Sequence, residues 1–269
     1  MIESLVYLVP VHNEEPILPE TIRALHERRP PGLDEVILIE NGSRDRSLEV
    51  AREATAGITS PRFVVETVPE AGLGHALFRG LESALRRHRG DSAWLVMTAA
   101  DLPFGFTDLD AFRAPQALAE RVRGARLFIG SKAHPRTIGR PRGARGLASI
   151  GYWIARRAIV GMRTRDSQGS LFIRADLAAD ILHHLRSRDF FFSTEVVCIA
   201  ERLGERVVEL PVAMEPERRR STVRIVRHSV RMFRQLVELR RRAPWDAIAA
   251  TRRSPSTSTG SLSRPRIHT

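Results

Sequence analysis

Short unbroken apolar runs alternate with amphipathic stretches through the first half of the chain. Leu5 to Val11, Val36 to Glu40, Phe63 to Val68 and Trp94 to Thr98 read as strands, with helical patterns between them. Runs that are apolar on both faces, in a βαβα order, predict a mainly parallel sheet covered by helices on both sides. In such sheets ligands sit beyond the carboxyl ends of the strands, so the residues just after each run are the candidates for chemistry.

The second half is less regular. A short strand is expected at Leu127 to Gly130, an amphipathic helix near Leu147 to Val160, helices from Asp176 and around Thr194 to Leu203, and a strand at Val207 to Val212. From Glu217 to Arg242 the composition turns strongly basic while Val223, Val226, Val230, Phe233 and Val237 keep three- and four-residue spacing, which is one apolar helical stripe. A helix of this kind either lies on a membrane surface or packs on its own domain with a solvated arginine face. The Ser-, Thr-, Gly- and Pro-containing tail from Ser254 reads as disordered. The expected organisation is a catalytic domain over 1–215, a basic amphipathic membrane-surface helix over 216–243 and a disordered tail over 244–269.

Composition narrows the setting. The 269 residues, 42% hydrophobic, suffice for one α/β domain with appendages. The one cysteine, Cys198, lies in an apolar run, so neither a disulfide framework nor a cysteine metal site is available. Leu5 to Val9 lacks the basic flank and cleavage site of a secretory signal, and arginine or glutamate breaks every window long enough to span a bilayer. A cytoplasmic protein, peripheral to the inner face of the membrane, is the expectation. A formal charge of +12 and a pI near 11.3 predict polyanionic partners. Lys132 is the one lysine among 43 basic residues, so the charge is carried almost wholly by arginine, which can grip phosphate with two parallel hydrogen bonds. With 6% aromatics and no nucleic-acid-binding signature, no nucleic-acid partner is expected, and a basic nucleic-acid-binding protein is the remotest alternative.

The strand ends carry the motifs. The first strand runs into Pro10-Val11-His12-Asn13-Glu14-Glu15 and the second into Glu40-Asn41-Gly42-Ser43-Arg44-Asp45. An acidic side chain at the end of the second strand can accept hydrogen bonds from a base or ribose, while the turn after it also reads as an ordinary turn before an N-capped helix. A dinucleotide fingerprint is missing after the first strand; the nearest match, Gly72-Leu73-Gly74-His75-Ala76-Leu77, follows the third and has leucine for its last glycine. Neither a Walker A loop nor a G-x-S-x-G elbow occurs, which removes common NTPases and α/β-hydrolases.

Taken in order, Val9 to Glu15, Glu40 to Asp45, Ala71 to Ala76, Gly130 to His134, Arg145, Asp166-Ser167-Gln168, Thr194-Glu195, Glu209 to Val212 and Arg218 to Ser221 resemble the family 2 glycosyltransferases. The closest likeness is to the dolichyl or polyprenyl phosphate glucosyl- and mannosyltransferases. The resemblance spans roughly Leu5 to Arg242. It implies a GT-A fold and a nucleotide-sugar donor held at the carboxyl edge of the sheet by Pro10, His12, Glu14, Glu40, Gly42, Ser43, Gly72, Gly74 and Asp101. The segment from Gly130 to Gln168 is nearer the glucosyl branch and favours a UDP-sugar over GDP-mannose.

The resemblance also implies a polyprenyl phosphate acceptor, an anionic membrane surface as partner, and transfer with inversion. Asp101, Asp166, Gln168 and Glu195 are the catalytic candidates. Lys132, Arg145, Arg218, Arg219, Arg220 and Ser221 are the candidates for holding acceptor or donor phosphates. The family places an Asp-x-Asp motif after the fourth strand to hold Mg2+ or Mn2+; here the stretch is Ala99-Ala100-Asp101, without the first carboxylate. A divalent metal could rest on Asp101 with phosphates and water, Asp108 or Asp110 could contribute, or arginines could neutralise the diphosphate instead; Asp108 and Asp110 also suit the start of a helix after Thr107. The alternative acceptor is a soluble hydroxyl on a polysaccharide or natural product, which would need a general base such as Asp166.

Plainer roles compete for several of these residues. Arg218 to Arg220 is otherwise a solvated run, Asp166 a surface ion-pair partner of Arg165, and Glu195 a first-turn helix carboxylate. His183-His184 reads as solvated, and Phe190 to Phe192 as core or groove rim.

Overall fold

A computed structural model describes residues 4–28, 31–88, 93–140, 143–215 and 225–242. The elements run β1 (Ser4–Val11), α1 (Leu18–Glu27), β2 (Leu33–Asn41), α2 (Ser47–Thr55), β3 (Arg62–Val68), α3 (Leu73–Arg87), β4 (Ala93–Met97), α4 (Thr107–Arg113) and α5 (Pro115–Val122). They continue with β5 (Leu127–Gly130), α6 (Gly143–Val160), β6 (Leu171–Arg174), α7 (Ala175–Leu182), α8 (Phe192–Arg202), β7 (Val207–Leu210) and α9 (Ile225–Arg242). The seven strands form one sheet in the order β3-β2-β1-β4-β6-β5-β7. The four strands expected in the first half pair in parallel. β6 runs against both β4 and β5, while β7 is parallel to β5.

Alternation along each strand divides the core in two. Val6, Leu8, Ile37, Ile39, Leu95 and Met97 face α3, α7, α8 and α9. Leu5, Tyr7, Val9, Val36, Leu38, Trp94 and Val96 face α1, α2, α4 and α5. Burial on both faces is why β1, β2 and β4 read as continuous apolar runs.

β6 was not anticipated, because Leu171 to Arg174 is four residues long and follows a polar turn. Its place is secured by aromatic packing. Phe172 of β6 pairs with Phe128 of β5 and stacks on Phe112 of α4 at 4.6 Å, and Trp94 of β4 meets Phe112 and Phe128 edge-on at 5.0 and 5.6 Å. Edge-to-face and offset contacts at these spacings are favoured by the ring quadrupoles.

α9 packs along α6 and buries Leu236 and Leu239, leaving Phe233 about half exposed. The apolar stripe read from the sequence included Phe233, whereas the contact with the domain is made one residue step around the helix. Val223, the side chains of Val226 and Val230, and the tail lie outside the described residues.

At the opposite edge from the carboxyl ends, Glu35 is buried, accepting hydrogen bonds from Arg87 Nε at 3.0 Å and His88 Nε2 at 2.9 Å. Burial alone would raise its pKa; the hydrogen bonds and charges of His88 and Arg87 outweigh that and hold it below the ordinary glutamate value. A depressed carboxyl contributes stability that is present above the unfolded pKa, about 4.3, and is lost as pH falls through the folded value. Glu35→Gln should therefore lower stability at pH 7 by about 1–3 kcal/mol. In thermal melts the gap from wild type should close as pH drops below the glutamate range. A gap that stays constant to low pH would contradict this assignment.

Candidate active site

The loops leaving β1 and β2 are tied together almost entirely by side chains that accept backbone N–H groups. Asn13 N–H donates to Ser43 Oγ at 3.0 Å, Arg44 N–H to Asn13 Oδ1 at 2.8 Å, and Glu14 N–H to Ser47 Oγ at 2.8 Å. Glu15 N–H donates to Asp45 Oδ2 at 3.2 Å and Arg46 N–H to Glu15 Oε2 at 3.0 Å. His12 Nδ1–H donates to the Asn41 carbonyl at 2.9 Å, which leaves Nε2 to accept from Asn13 Nδ2 at 3.0 Å. Glu40, expected to meet a base or ribose, is 8% exposed and accepts Ser43 N–H at 2.5 Å, so it holds the turn that presents its neighbours. Gly42 lies at φ +70°, and a Cβ there would stand 3.0 Å from the Pro69 carbonyl.

The glycines before α3 serve a close approach. A Cβ on Gly72 would stand 2.5 Å from the Arg188 carbonyl oxygen, and one on Gly74 equally near the Arg188 carbonyl carbon. His75 N–H donates to that same carbonyl oxygen at 3.2 Å. Segment 186–191 is thus clamped against the start of α3, and Glu195 secures it from behind. That carboxylate is fully buried, takes Arg186 N–H and Ser187 N–H on Oε2 at 2.9 and 2.7 Å, and has Arg242 of α9 3.5 Å from Oε1. Glu195 acts on the loop rather than as a simple first-turn carboxylate of α8. Asp189, in the loop, is held by Gln235 at 3.0 Å and Arg231 at 2.8 Å, both on α9.

These parts enclose a cleft of about 720 Å³ at the carboxyl ends of β1, β2 and β4. Pro10, His12 and Glu14 line it, with Gly72, Ala99 and Ala100, segment 186–191 and the inner side of α9. Its size is that of a typical small-molecule site. Phe190 lies half exposed at the rim, while Phe191 and Phe192 are core. Asp101 follows Ala100 at the same rim, exposed. The part played by 186–191 and α9 was not foreseen; the Gly72/Gly74 pair was its one legible sign.

A second group gathers at the carboxyl end of β5. Asp166 Oδ2 accepts Lys132 N–H at 2.8 Å, and Oδ1 accepts Gln168 N–H at 2.9 Å. Lys132 Nζ donates to the Gln168 carbonyl at 2.8 Å and lies 3.8 Å from Asp166. The ion-pair partner of Asp166 is therefore Lys132, not Arg165. Gly169 crosses Gly130 so tightly that a Cβ would stand 1.7 Å from the Gly130 oxygen. Lys132 and Gln168 line a cavity of about 420 Å³ under α6, and both also line a smaller one of about 190 Å³ shared with Leu73 and Ala99. Since Leu73 and Ala99 also wall the large cleft, the three spaces are neighbours along one edge. The side chain of Arg145, and Arg218, Arg219, Arg220 and Ser221, lie outside the described residues.

Asp108 is buried, accepts a hydrogen bond from Ser170 Oγ, and has its pKa raised by burial. It faces β6 rather than the rim. Among the described residues no group of three or more His, Cys, Asp or Glu could hold a metal ion, and Ala99 offers no ligand. Asp101 stands at this rim, and Glu14, Asp189 and Glu238 line the cleft itself; an ion held there would draw its remaining ligands from phosphate and water. His183 and His184 rest ring on ring, 3.8 Å apart, away from both cavities.

Residues 7–104 match the model described as Glycosyl transferase family 2. The chain is 32% identical to Glycosyltransferase AglD of Haloferax volcanii over 218 residues, covering 78% of this chain and 33% of that protein. It thus spans about a third of AglD's length. It is 27% identical to the undecaprenyl-phosphate mannosyltransferase of Micrococcus luteus over 212 residues, 76% of this chain and 81% of that one.

Residues 7–104 carry the sequence pattern of a family 2 glycosyltransferase.

Solved structures agree on the fold. Glucosyl-3-phosphoglycerate synthase from Mycobacterium tuberculosis in complex with uridine diphosphate superposes with a TM-score of 0.62 at 19% identity, over 88% of this chain and 80% of that one. The same synthase with Mn2+, uridine diphosphate and glucosyl-3-phosphoglycerate gives 0.60 at 20% identity, over 88% and 78%. At such identity the likeness establishes the GT-A architecture.

The clamp between α3 and segment 186–191 can be tested directly. Gly74→Ala should cost about 1–3 kcal/mol of stability, because the new methyl group meets backbone atoms that cannot swing aside. Gly151→Ala, where a Cβ meets nothing within 4 Å, should leave the thermal midpoint unchanged or slightly raised. Equal midpoints for the two variants would mean that the loop does not sit against α3.

Proposed function

We propose that this enzyme transfers a sugar from a nucleoside diphosphate sugar, a UDP-sugar in preference to GDP-mannose, to a polyprenyl phosphate with inversion at the anomeric carbon. The observation that carries the reading is the row of adjoining spaces. The large cleft at the sheet rim suits the donor, the cavity under α6 suits the acceptor, and Lys132 with Gln168 borders both the latter and the space between. The name of the Micrococcus luteus relative supports the lipid acceptor, and the uridine diphosphate in the fold neighbours supports the donor. The mannosyl name of one relative makes GDP-mannose the donor to test against it.

The chemistry asks for juxtaposition of two anions. An ionised oxygen of the acceptor phosphate forms the new bond to the anomeric carbon from one side. The bond to the donor diphosphate breaks on the other, and its electron pair leaves with the nucleoside diphosphate. No strong base is required for a nucleophile already ionised at neutral pH, so positioning and charge compensation supply the rate. Asp166 fits that division of labour: both its oxygens are occupied by backbone N–H groups, and its work is to hold the turn carrying Lys132 beside the one carrying Gln168. Its engagement disfavours the general-base duty that a soluble hydroxyl acceptor would require. Mg2+ or Mn2+ brought in with the donor diphosphate would take Asp101 as its carboxylate and offset phosphate charge.

The setting is a membrane surface. Leu147, Ile150 and Ile154 on α6 are 73%, 55% and 54% exposed, and α9 beside it shows Phe233 among arginines. An apolar edge bordered by cations suits anionic lipid. Among the described residues no helix is long and apolar enough to cross a membrane.

With radiolabelled UDP-glucose or GDP-mannose and undecaprenyl phosphate, the account expects chloroform-extractable label, more from the UDP-sugar. Lys132→Ala should cut turnover by about a hundredfold while nucleotide binding persists. Label confined to water-soluble acceptors would remove the lipid assignment.

A further inference from the structure

The cavity under α6 contains two buried N–H donors that no protein atom satisfies. Trp153 Nε1 and Arg156 Nε are each shut off from solvent and lack a hydrogen-bond partner, and both residues line this space. They are three apart on α6, so they present to one face of the helix. Arg156 is 2% exposed. Its remaining nitrogens reach the Met162 sulfur at 3.0 Å and the Thr164 and Arg165 carbonyls at 3.4 and 2.7 Å, and its guanidinium lies over the Tyr152 ring at 4.9 Å. None of these partners is a carboxylate. Burial lowers the pKa of this arginine, outweighing the opposing charges of Asp166, Glu201 and Glu209.

Orphaned buried donors are rare because each costs about 1–3 kcal/mol. Two in one cavity, one of them on the buried guanidinium of Arg156 itself, define what the missing occupant must bring: acceptor oxygens and negative charge. The other charged side chains around the space are Lys132, Arg140 and Arg165 against one carboxylate, Asp166, whose oxygens are already engaged. The remaining wall mixes Ala133, Gly146 and Ile150 with Ser149, Tyr152, Ser167 and Gln168, and Ile150 continues outward into the exposed apolar edge of α6 with Leu147 and Ile154.

We propose that Trp153 Nε1 and Arg156 Nε form the floor of an oxyanion subsite under α6, and that its ligand is the phosphate of a phosphomonoester carried on an apolar chain. The oxyanion half stands on the two donors alone. The apolar-chain half rests on the acceptor reading above and deepens it, making Trp153 and Arg156 the residues that select a terminal phosphate over an alcohol of the same chain.

The test is calorimetric titration of the full chain with farnesyl phosphate, farnesol and inorganic phosphate. Wild type, Trp153→Phe and Arg156→Met are compared, with UDP titrated in parallel. Trp153→Phe keeps the ring and deletes one donor, so its thermal midpoint should hold even if Arg156→Met loosens the 164–165 turn. Farnesyl phosphate should bind wild type at least about tenfold more tightly than farnesol, and Trp153→Phe should weaken it by about tenfold, the value of one hydrogen bond to a charged group, with UDP affinity unchanged.

An unchanged Kd for farnesyl phosphate in Trp153→Phe, or farnesol binding as well as its phosphate, overturns the proposal. Inorganic phosphate binding as tightly as farnesyl phosphate, and weakened by the variant, overturns the apolar-chain half and keeps the oxyanion half. If farnesyl phosphate binding depends on Trp153 yet no prenyl phosphate is ever glycosylated, the acceptor reading fails and the subsite stands.

Discussion

Parallel strands end with backbone N–H groups that the sheet no longer satisfies, and the way this chain satisfies them shapes everything at the rim. Beyond β1 and β2 the partners are side chains of the neighbouring loop: Ser43, Ser47, Asp45, Asn13, Glu15 and Glu40 each accept a backbone N–H. Glu40 takes Ser43 N–H within its own turn, but the other five bonds join two loops, so neither can move without stranding a donor of the other, at a cost of about 1–3 kcal/mol for a buried group. The cleft wall is consequently set before any ligand arrives, which is the preorganisation that group transfer between two anions needs.

The opposite wall obeys a different constraint, close approach of backbone to backbone. Gly72 and Gly74 let segment 186–191 touch the start of α3, and the buried carboxylate of Glu195 keeps that segment in place through the amides of Arg186 and Ser187. α9 is joined to the same structure by Arg231 and Gln235 on Asp189 and by Arg242 on Glu195. The basic helix is thereby a wall of the cleft as well as an exposed surface, so any membrane contact made by α9 is one packed layer away from the cleft.

How much of this could be read beforehand depended on the kind of signal. The strands β1, β2 and β4 announced themselves because both faces are buried, and the polar turns after β1 and β2 marked the rim. β6 stayed hidden, since four residues that owe their position to Phe112, Phe128 and Trp94 carry no local period of their own. Glu40 and Asp166 were legible as carboxylates near strand ends, but their backbone N–H partners were not, because a side chain that accepts backbone N–H groups looks the same in sequence as one that meets a ligand. Gly74 behaved likewise: a glycine near a nucleotide motif turned out to serve packing. Trp153 and Arg156 gave only an amphipathic helical pattern, and what singles them out, two donors without acceptors, exists only once the helix is placed over the 164–168 turn.

The central claim is that the preset rim between β1, β2 and the start of α3 holds the donor's nucleotide. The most direct measurement is hydrogen–deuterium exchange of the full chain with and without saturating UDP. Added protection of amides in 11–15, 41–47 and 71–76, together with 186–191, is the result this account predicts. Protection absent from those segments and concentrated elsewhere would contradict it.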